Sequence, residues 1–127
     1  MKKIKYLAIP LIALSLCSCH HYKAFILITS NHGNNASMTF DEFEGEYVFK
    51  LKKKDAQEGP LVYQGTVETG SIDVTYKVNG EESLLFTVTN GESVRNQKGT
   101  FHKGDKVEIL IKSNCKSLKG EFTFNLN

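Results

Sequence analysis

Apolar and polar residues alternate along most of the chain from residue 43 onward, and this pattern predicts β-strands with one buried and one wetted face. Glu44, Asp73 and Thr123 are examples of the polar positions. The alternation also places Leu84 on the core side of its strand, because successive side chains of a strand point to opposite faces. The main expected members of the core are Phe49, Tyr63, Val74, Tyr76, Phe86, Ile109, Phe122 and Phe124.

Turn signals interrupt the alternation roughly every ten residues, a spacing typical of antiparallel sandwiches and barrels. Asn79-Gly80 and Asn90-Gly91 readily supply the positive φ angles of tight hairpin turns. No segment of the alternating region has a sustained helical period. The pattern therefore predicts an all-β fold, an antiparallel β-sandwich, with a small closed β-barrel as the alternative.

Four segments depart from the alternation or end it. Residues 24–28 are apolar on both faces and predict an internal strand covered on both sides, or alternatively a strip lying against a membrane interface or a partner. Residues 30–37 predict a polar loop. Lys52-Lys53-Lys54 predicts a wetted strand end, or alternatively a patch attracted to anionic lipid headgroups. Residues 112–117 predict a polar segment that joins two strands and carries Cys115.

The first 18 residues have the organisation of an export signal. Three of the first five residues are lysines, and residues 6–16 form an apolar run within the roughly 7–15 residues of a secretory signal. A membrane-spanning helix needs about 20 apolar residues, so the run predicts a signal peptide. Leu16-Cys17-Ser18-Cys19 resembles the lipobox of bacterial lipoproteins, with an aliphatic residue three before the acceptor cysteine and a small residue just before it.

The lipobox resemblance implies a mature protein that begins at Cys19. In that family a diacylglycerol, with fatty acids such as palmitate, is attached to the cysteine sulfur before the signal is removed. Leu14-Ser15-Leu16-Cys17 is a rival lipobox, but it puts bulky Leu16 where the family's peptidase takes a small residue. We therefore expect residues 1–18 to be a lipoprotein signal peptide. The protein would then be exported and lipid-anchored to the bacterial cell membrane or outer membrane.

Removal of the signal changes the charge and the length of the chain. The 127 residues include 16 basic and 14 acidic side chains, and three lysines leave with the signal, so the mature part has 13 against 14 and a net charge of −1. This balance gives no attraction to nucleic acid, which we do not expect as a partner. The remaining length suits one domain. Residues 19–37 would form the lipidated N terminus, first strand and polar loop, and residues 38–127 the rest of the β-sandwich domain.

Four histidines are the first candidates for a ligand site: His20, His21, His32 and His102. Zinc and similar metals need three or four ligands held together, usually visible as paired spacings on a strand or helix. The side chains of His20 and His21 point apart on an extended chain. We therefore predict solvated loop histidines and no metal or cofactor, and a surface metal or haem contact by His20-His21 stays as the alternative.

The sequence favours a protein that is not an enzyme. Cys115 and His102 supply a nucleophile and a base only if the fold brings them together, and no nucleophile motif surrounds Cys115. Glu44 and Glu46 share one strand face about 6.5–7 Å apart, given a rise of about 3.3 Å per residue. That spacing suits a glycosidase, but a solvated acidic face accounts for it equally well.

Aromatic side chains bear on sugar binding, since sugar-binding sandwiches commonly expose Trp or Tyr. The chain has no tryptophan. The aromatics expected near an edge or loop are Tyr22, Phe25 and Phe101. The tyrosines of the alternating strands are expected in the core instead of on a sugar platform: Tyr47, Tyr63 and Tyr76.

Residues 40–126 resemble small β-sandwich lipoproteins of bacterial envelopes. The resemblance lies mainly in residues 100–109, where a strand begins with Gly-Asp, and in residues 119–124, where a closing strand begins with Lys-Gly and an alternating aromatic pattern. The resemblance favours a membrane-anchored, non-catalytic envelope lipoprotein that recognises a protein or glycan partner. The alternative is a small-ligand or metal-binding carrier lipoprotein. In either case we expect the protein to reach the membrane through its N-terminal lipid.

Overall fold

The computed structural model describes residues 21–126, whose regular structure is entirely β. Every strand pairing is antiparallel, which confirms the predicted fold class. Within this range there is no helix of the length and apolarity that crossing a membrane requires. The strands are β1 (His21–Lys23), β2 (Ile26–Asn31), β3 (Asn35–Asp41), β4 (Phe43–Lys52), β5 (Gly59–Thr69), β6 (Ser71–Val78), β7 (Glu81–Thr89), β8 (Ser93–Phe101) and β9 (Lys106–Asn125).

Strand β9 belongs to two sheets and is the centre of the fold. Its first half pairs with β4 and β6, which gives sheet A the order β1-β4-β9-β6-β7. Its second half pairs with β3 and β5, which gives sheet B the order β2-β3-β9-β5-β8. In residues 21–126 each of the four outermost strands has a single paired neighbour. The two sheets therefore form an open sandwich joined through β9.

The corner at which β9 passes from sheet A to sheet B lies at residues 113–117. The Oγ atoms of Ser113 and Ser117, both buried, lie 2.7 Å apart. The Ser113 hydroxyl also donates a hydrogen bond of 2.6 Å to the Cys115 carbonyl. The Ser113 hydroxyl thereby gives a backbone carbonyl of the corner a hydrogen-bond partner. The prediction of a loop joining two strands here is wrong, because the segment is a bend within one strand, with Cys115 exposed on it.

The two sheets enclose one apolar core. Phe122 lies at its centre, with ring centroids 5.8 Å from Phe40, 5.9 Å from Phe86 and 6.4 Å from Phe124. A Cβ on Gly65 would lie 2.3 Å from the Phe122 ring, so this strand position requires glycine. Tyr76 is half-buried and packs against the core. The other expected core members are confirmed as buried: Phe49, Tyr63, Val74, Phe86, Ile109, Phe122 and Phe124.

A β-bulge reverses the expected orientation of Leu84. The pairing of β6 with β7 passes from Val74 opposite Phe86 to Thr75 opposite Leu84, so Leu85 is an extra residue in β7. Leu85 is 7% exposed and Leu84 is 54% exposed. The prediction that Leu84 faces the core is therefore wrong, since a bulge shifts the alternation by one residue.

Two strands, β3 and β8, are not among those predicted. Strand β3 alternates buried Ala36, Met38 and Phe40 with more exposed positions, a period that sequence reasoning missed, whereas β8 is polar and has no such period. The expected loop over residues 30–37 shortens to a turn, in which the His32 amide donates to the Asn35 carbonyl at 2.9 Å. Strand β8 pairs only with β5 and is exposed along most of its length. Phe101 ends this edge strand, as expected of an aromatic near an edge or loop, but its side chain is buried at 5% exposure. Strand β8 is held by backbone pairing, whereas β3 combines backbone pairing with a buried apolar face.

Candidate functional site

The structure describes three of the four candidate histidines. His20 lies outside the described residues, and His21 begins β1. His32 lies in the β2–β3 turn, its Nε2 atom 2.9 Å from the hydroxyl of the serine two residues before it. His102 precedes β9, its Nε2 atom 2.8 Å from Glu58 Oε2 on the surface. Across residues 21–126, no three His, Cys, Asp or Glu side chains come together as metal ligands would.

The turn that carries His102 packs against the end of β4, where Lys53 is buried. The Lys53 amide donates to the Asp105 carbonyl, and the Gly104 amide donates to the Lys53 carbonyl, each at 2.9 Å. The Lys53 side chain is 1% exposed, and its Nζ atom has no hydrogen-bond partner in the described structure. The prediction of a wetted end for Lys52-Lys53-Lys54 is wrong at this residue, because Lys53 continues the inward phase of Leu51.

The structure keeps the candidate nucleophile and base apart. Cys115 lies at the corner of β9 and His102 lies before its first residue, so about 30 Å of extended strand separates them at a rise of about 3.3 Å per residue. The acidic residues near this corner lie in surface ion pairs. Glu46 is 3.7 Å from Lys112 and Glu42 is 3.6 Å from Lys116.

The outer face of sheet B carries a polar groove formed by two adjoining cavities of about 360 and 210 Å³. Gln64 of β5, Arg95 of β8 and Thr123 of β9 line both cavities. Tyr63, buried below the groove, stacks on Phe86 at 5.1 Å. Its burial raises the pKa of the phenol, and Tyr76 raises it further. Other polar side chains of the lining are Asn35, Ser37, Thr66, Ser93, Glu121 and Asn125. The rest of the lining is apolar or glycine: Ala36, Val62, Gly65, Val94 and Phe124.

Arg95 is the single arginine of the sequence. Its side chain is exposed, and none of the ion pairs in the described range includes it. A guanidinium presents five donors in a planar fork that matches a carboxylate or phosphate. With Gln64 and Thr123 beside it, the groove offers donors and acceptors to a ligand rich in oxygen. Sequence reasoning missed this site, although a single arginine in a polar segment was a visible signal.

The β7–β8 turn fixes the start of the strand that carries Arg95. Glu92 accepts hydrogen bonds of 2.8 Å from both the amide and the hydroxyl of Thr89. Both hydrogen bonds lower the pKa of the Glu92 carboxyl, and the one from the backbone amide has the larger effect. The Gly91 amide also donates to the Val67 carbonyl at 2.8 Å, which ties the turn to β5.

Exposed apolar side chains lie along the edge formed by β1 and β2. Strand β2 pairs only with β3, so the prediction of an internal strand over residues 24–28 is wrong. Phe25 is 73% exposed, Ile28 65%, Ile26 42% and Tyr22 41%. These four side chains are here called the N-terminal apolar patch. Leu27 points the other way and packs against the core.

No protein-family model matches the chain, and no curated protein matches it. The solved structures with detectable similarity include the EutQ protein of Clostridium difficile, at 14% identity and a TM-score of 0.29, over 72% of this chain and 50% of that one. A cupin-2 domain protein of Shewanella frigidimarina is 11% identical, with a TM-score of 0.33 over 83% of each chain. Drosophila melanogaster CENP-C, solved bound to CAL1, is 14% identical, with a TM-score of 0.35 over 78% of this chain and 68% of that one. This chain spans half the length of the EutQ protein. The likeness is one of β architecture and carries no argument about function.

Proposed function

We propose that the protein is an exported, lipid-anchored envelope lipoprotein that recognises a partner without catalysing a reaction. The lipobox-like Leu16-Cys17-Ser18-Cys19, which lies outside the described residues, supports the anchor. The polar groove supports recognition, and the observation that carries it is Arg95, which lines both cavities and belongs to none of the ion pairs formed within residues 21–126. Loops and strand faces of a rigid sandwich are common binding surfaces.

The chemistry of the groove favours a glycan that carries acidic groups over a protein partner. Amide and hydroxyl side chains pair with sugar hydroxyls, and the guanidinium pairs with a carboxylate or phosphate through charge-assisted hydrogen bonds. Two adjoining cavities suit consecutive units of a polymer. Tyr63 lines one of the cavities but is only 5% exposed and offers no open ring face to a sugar, so hydrogen bonding would carry the recognition.

The alternative of a metal-binding or small-ligand carrier depends on histidines that converge on a pocket. His32 lies beside Ser30 and His102 lies beside Glu58, and neither histidine lines the groove. The glycan-binding proposal therefore has the stronger support from the described structure.

Recognition is tested by titrating the purified lipoprotein, in detergent, with oligosaccharides that contain uronic acids or phosphate. Arg95→Gln should weaken binding about 10–100-fold, since a charge-assisted hydrogen bond contributes about 1.5–3 kcal/mol. Arg95→Lys keeps the charge but loses the fork and should also bind weakly. The control is Lys98→Gln on the same strand, whose ammonium lies over the Tyr76 ring. Binding that survives Arg95→Gln would contradict the proposed site.

The anchor is tested by metabolic labelling with a fatty-acid analogue. Cys19→Ala should abolish the label, while Cys115→Ser, at the exposed corner of β9, should retain it. Label that persists in Cys19→Ala would contradict the lipid attachment.

A further inference from the structure

We propose that the N-terminal apolar patch sits in the interface of the bilayer that holds the lipid anchor. This inference rests on the proposed lipidation of Cys19 and adds to it an orientation of the folded domain. The β1–β2 edge would face the membrane, and the opposite β7–β8 edge would face away from it. Anchoring alone does not require this orientation, because an acyl chain can hold a domain that tumbles freely.

Exposed apolar surface is concentrated at this edge. Of the six large hydrophobic side chains that are exposed in residues 21–126, four belong to the patch and two, Val62 and Leu84, lie elsewhere. Val62 lines the polar groove, and Leu84 lies on the far edge strand, β7. Adjacent exposed apolar side chains are a feature of membrane and protein contact surfaces.

The chain between Cys19 and the patch is too short to keep the patch away from the membrane. Tyr22 is three positions after Cys19 in the sequence, which is at most about 11 Å of extended chain. Phe25 lies in the crossing from β1 to β2, and its amide donates to the Asp41 carbonyl at 3.1 Å. The patch is therefore fixed on the sandwich within reach of the headgroups. This proximity is what favours a bilayer as its occupant over another protein.

Acidic and basic side chains near the patch balance one another. We therefore expect apolar contacts, and not charge attraction, to hold the patch in the membrane interface. Lys23 lies opposite Glu44 on the neighbouring strand, and Glu42 lies 3.6 Å from Lys116. Asp41 accepts a hydrogen bond from the Lys119 amide. With no cationic excess at this edge, insertion should occur into neutral and anionic membranes alike and should respond weakly to salt. Tyr22 suits the boundary because it combines an apolar ring with a polar hydroxyl.

The absence of tryptophan from the sequence permits a direct test. Phe25→Trp places a single fluorophore in the patch, and Leu84→Trp places one at an exposed apolar position on the opposite edge. Each full-length lipoprotein variant is reconstituted into phosphatidylcholine vesicles, and separately into phosphatidylethanolamine–phosphatidylglycerol vesicles. Emission is then measured with and without lipids brominated on their acyl chains, and flotation and fatty-acid label confirm anchoring of each sample.

The inference predicts a blue shift and loss of most of the Phe25→Trp emission on brominated lipids of both compositions, with Leu84→Trp unchanged. If the protein carries the fatty-acid label and floats with the vesicles but neither tryptophan is quenched, the proposed contact of the patch with the bilayer is wrong, while the lipid anchor is not contradicted. A concentration-dependent blue shift of Phe25→Trp in detergent would identify a second copy of the chain as the occupant and would also overturn the proposed contact. Protein that carries no label on Cys19 would overturn both proposals.

Discussion

Replacing Leu85 with alanine should destabilise the protein far more than the same change at Leu84. Leu85 is 7% exposed, so its truncation removes buried methyl groups and leaves a cavity. We expect a loss of about 2–3 kcal/mol in the free energy of unfolding, the lower part of the usual range, because an edge strand relaxes more readily than a central one. Leu84 is 54% exposed. Its truncation should cost less than about 1 kcal/mol, since water already covers most of the side chain.

Urea denaturation followed by far-UV circular dichroism measures both values. The dependence of the unfolding free energy on urea should be the same for both variants, so that the midpoints report stability directly. A difference of more than about 1 kcal/mol corresponds to at least a fivefold change in the folded-to-unfolded ratio. If Leu84→Ala costs as much as Leu85→Ala, or more, the bulge between β6 and β7 is wrongly placed and the simple alternation of the sequence is correct.

Three further predictions concern the core, the buried ammonium and the β7–β8 turn. Phe122→Ala should cost about 3–5 kcal/mol, and Thr123→Ala on the opposite face less than about 1 kcal/mol; similar losses would contradict the register of β9. Lys53→Met should raise the unfolding free energy by about 1–3 kcal/mol, because it removes an unpartnered buried charge. The control, Lys52→Met, should change it little. A lower unfolding free energy for Lys53→Met would mean that the Lys53 ammonium has hydrogen-bond partners in the folded protein. Hydrogen bonds to the carboxylate lower the pKa of Glu92 from 4.5 in the folded state, so its contribution to stability is present above that pH and is lost as the pH falls through the folded value. In denaturation series at successive pH values, the advantage of the native protein over Glu92→Gln should therefore shrink with acid, and a constant difference would refute it.

The alternation of side chains was enough to predict most of the strands that form the core, although β3, which buries Ala36, Met38 and Phe40, was missed. Phe49, Tyr63, Ile109 and Phe122 are buried as expected, because the period of two is a local property of extended backbone. Asn79 and Gly80 adopt the positive φ angles, 54° and 82°, that their dipeptide favours. Both features depend on residues adjacent in sequence, so the sequence by itself determined them.

The candidate sites depended on pairing between distant parts of the chain. Gln64, Arg95 and Thr123 form one groove because β5 pairs with both β8 and β9, and nothing local to any of these residues indicates the other two. The apolar segment over residues 24–28 is equally compatible with an internal or an edge strand, and only the number of its neighbours decides whether it is covered.

Tertiary structure also decided where the alternation fails. The bulge at Leu85 and the corner of β9 at Ser113 and Ser117 exist because strands must bend to close two sheets around one core. Lys53 is buried because the turn at residues 102–105 covers the end of β4. The period of two determined which residues of each strand share its apolar face. The long-range packing of the sheets determined which of them are covered, and which remain exposed for binding.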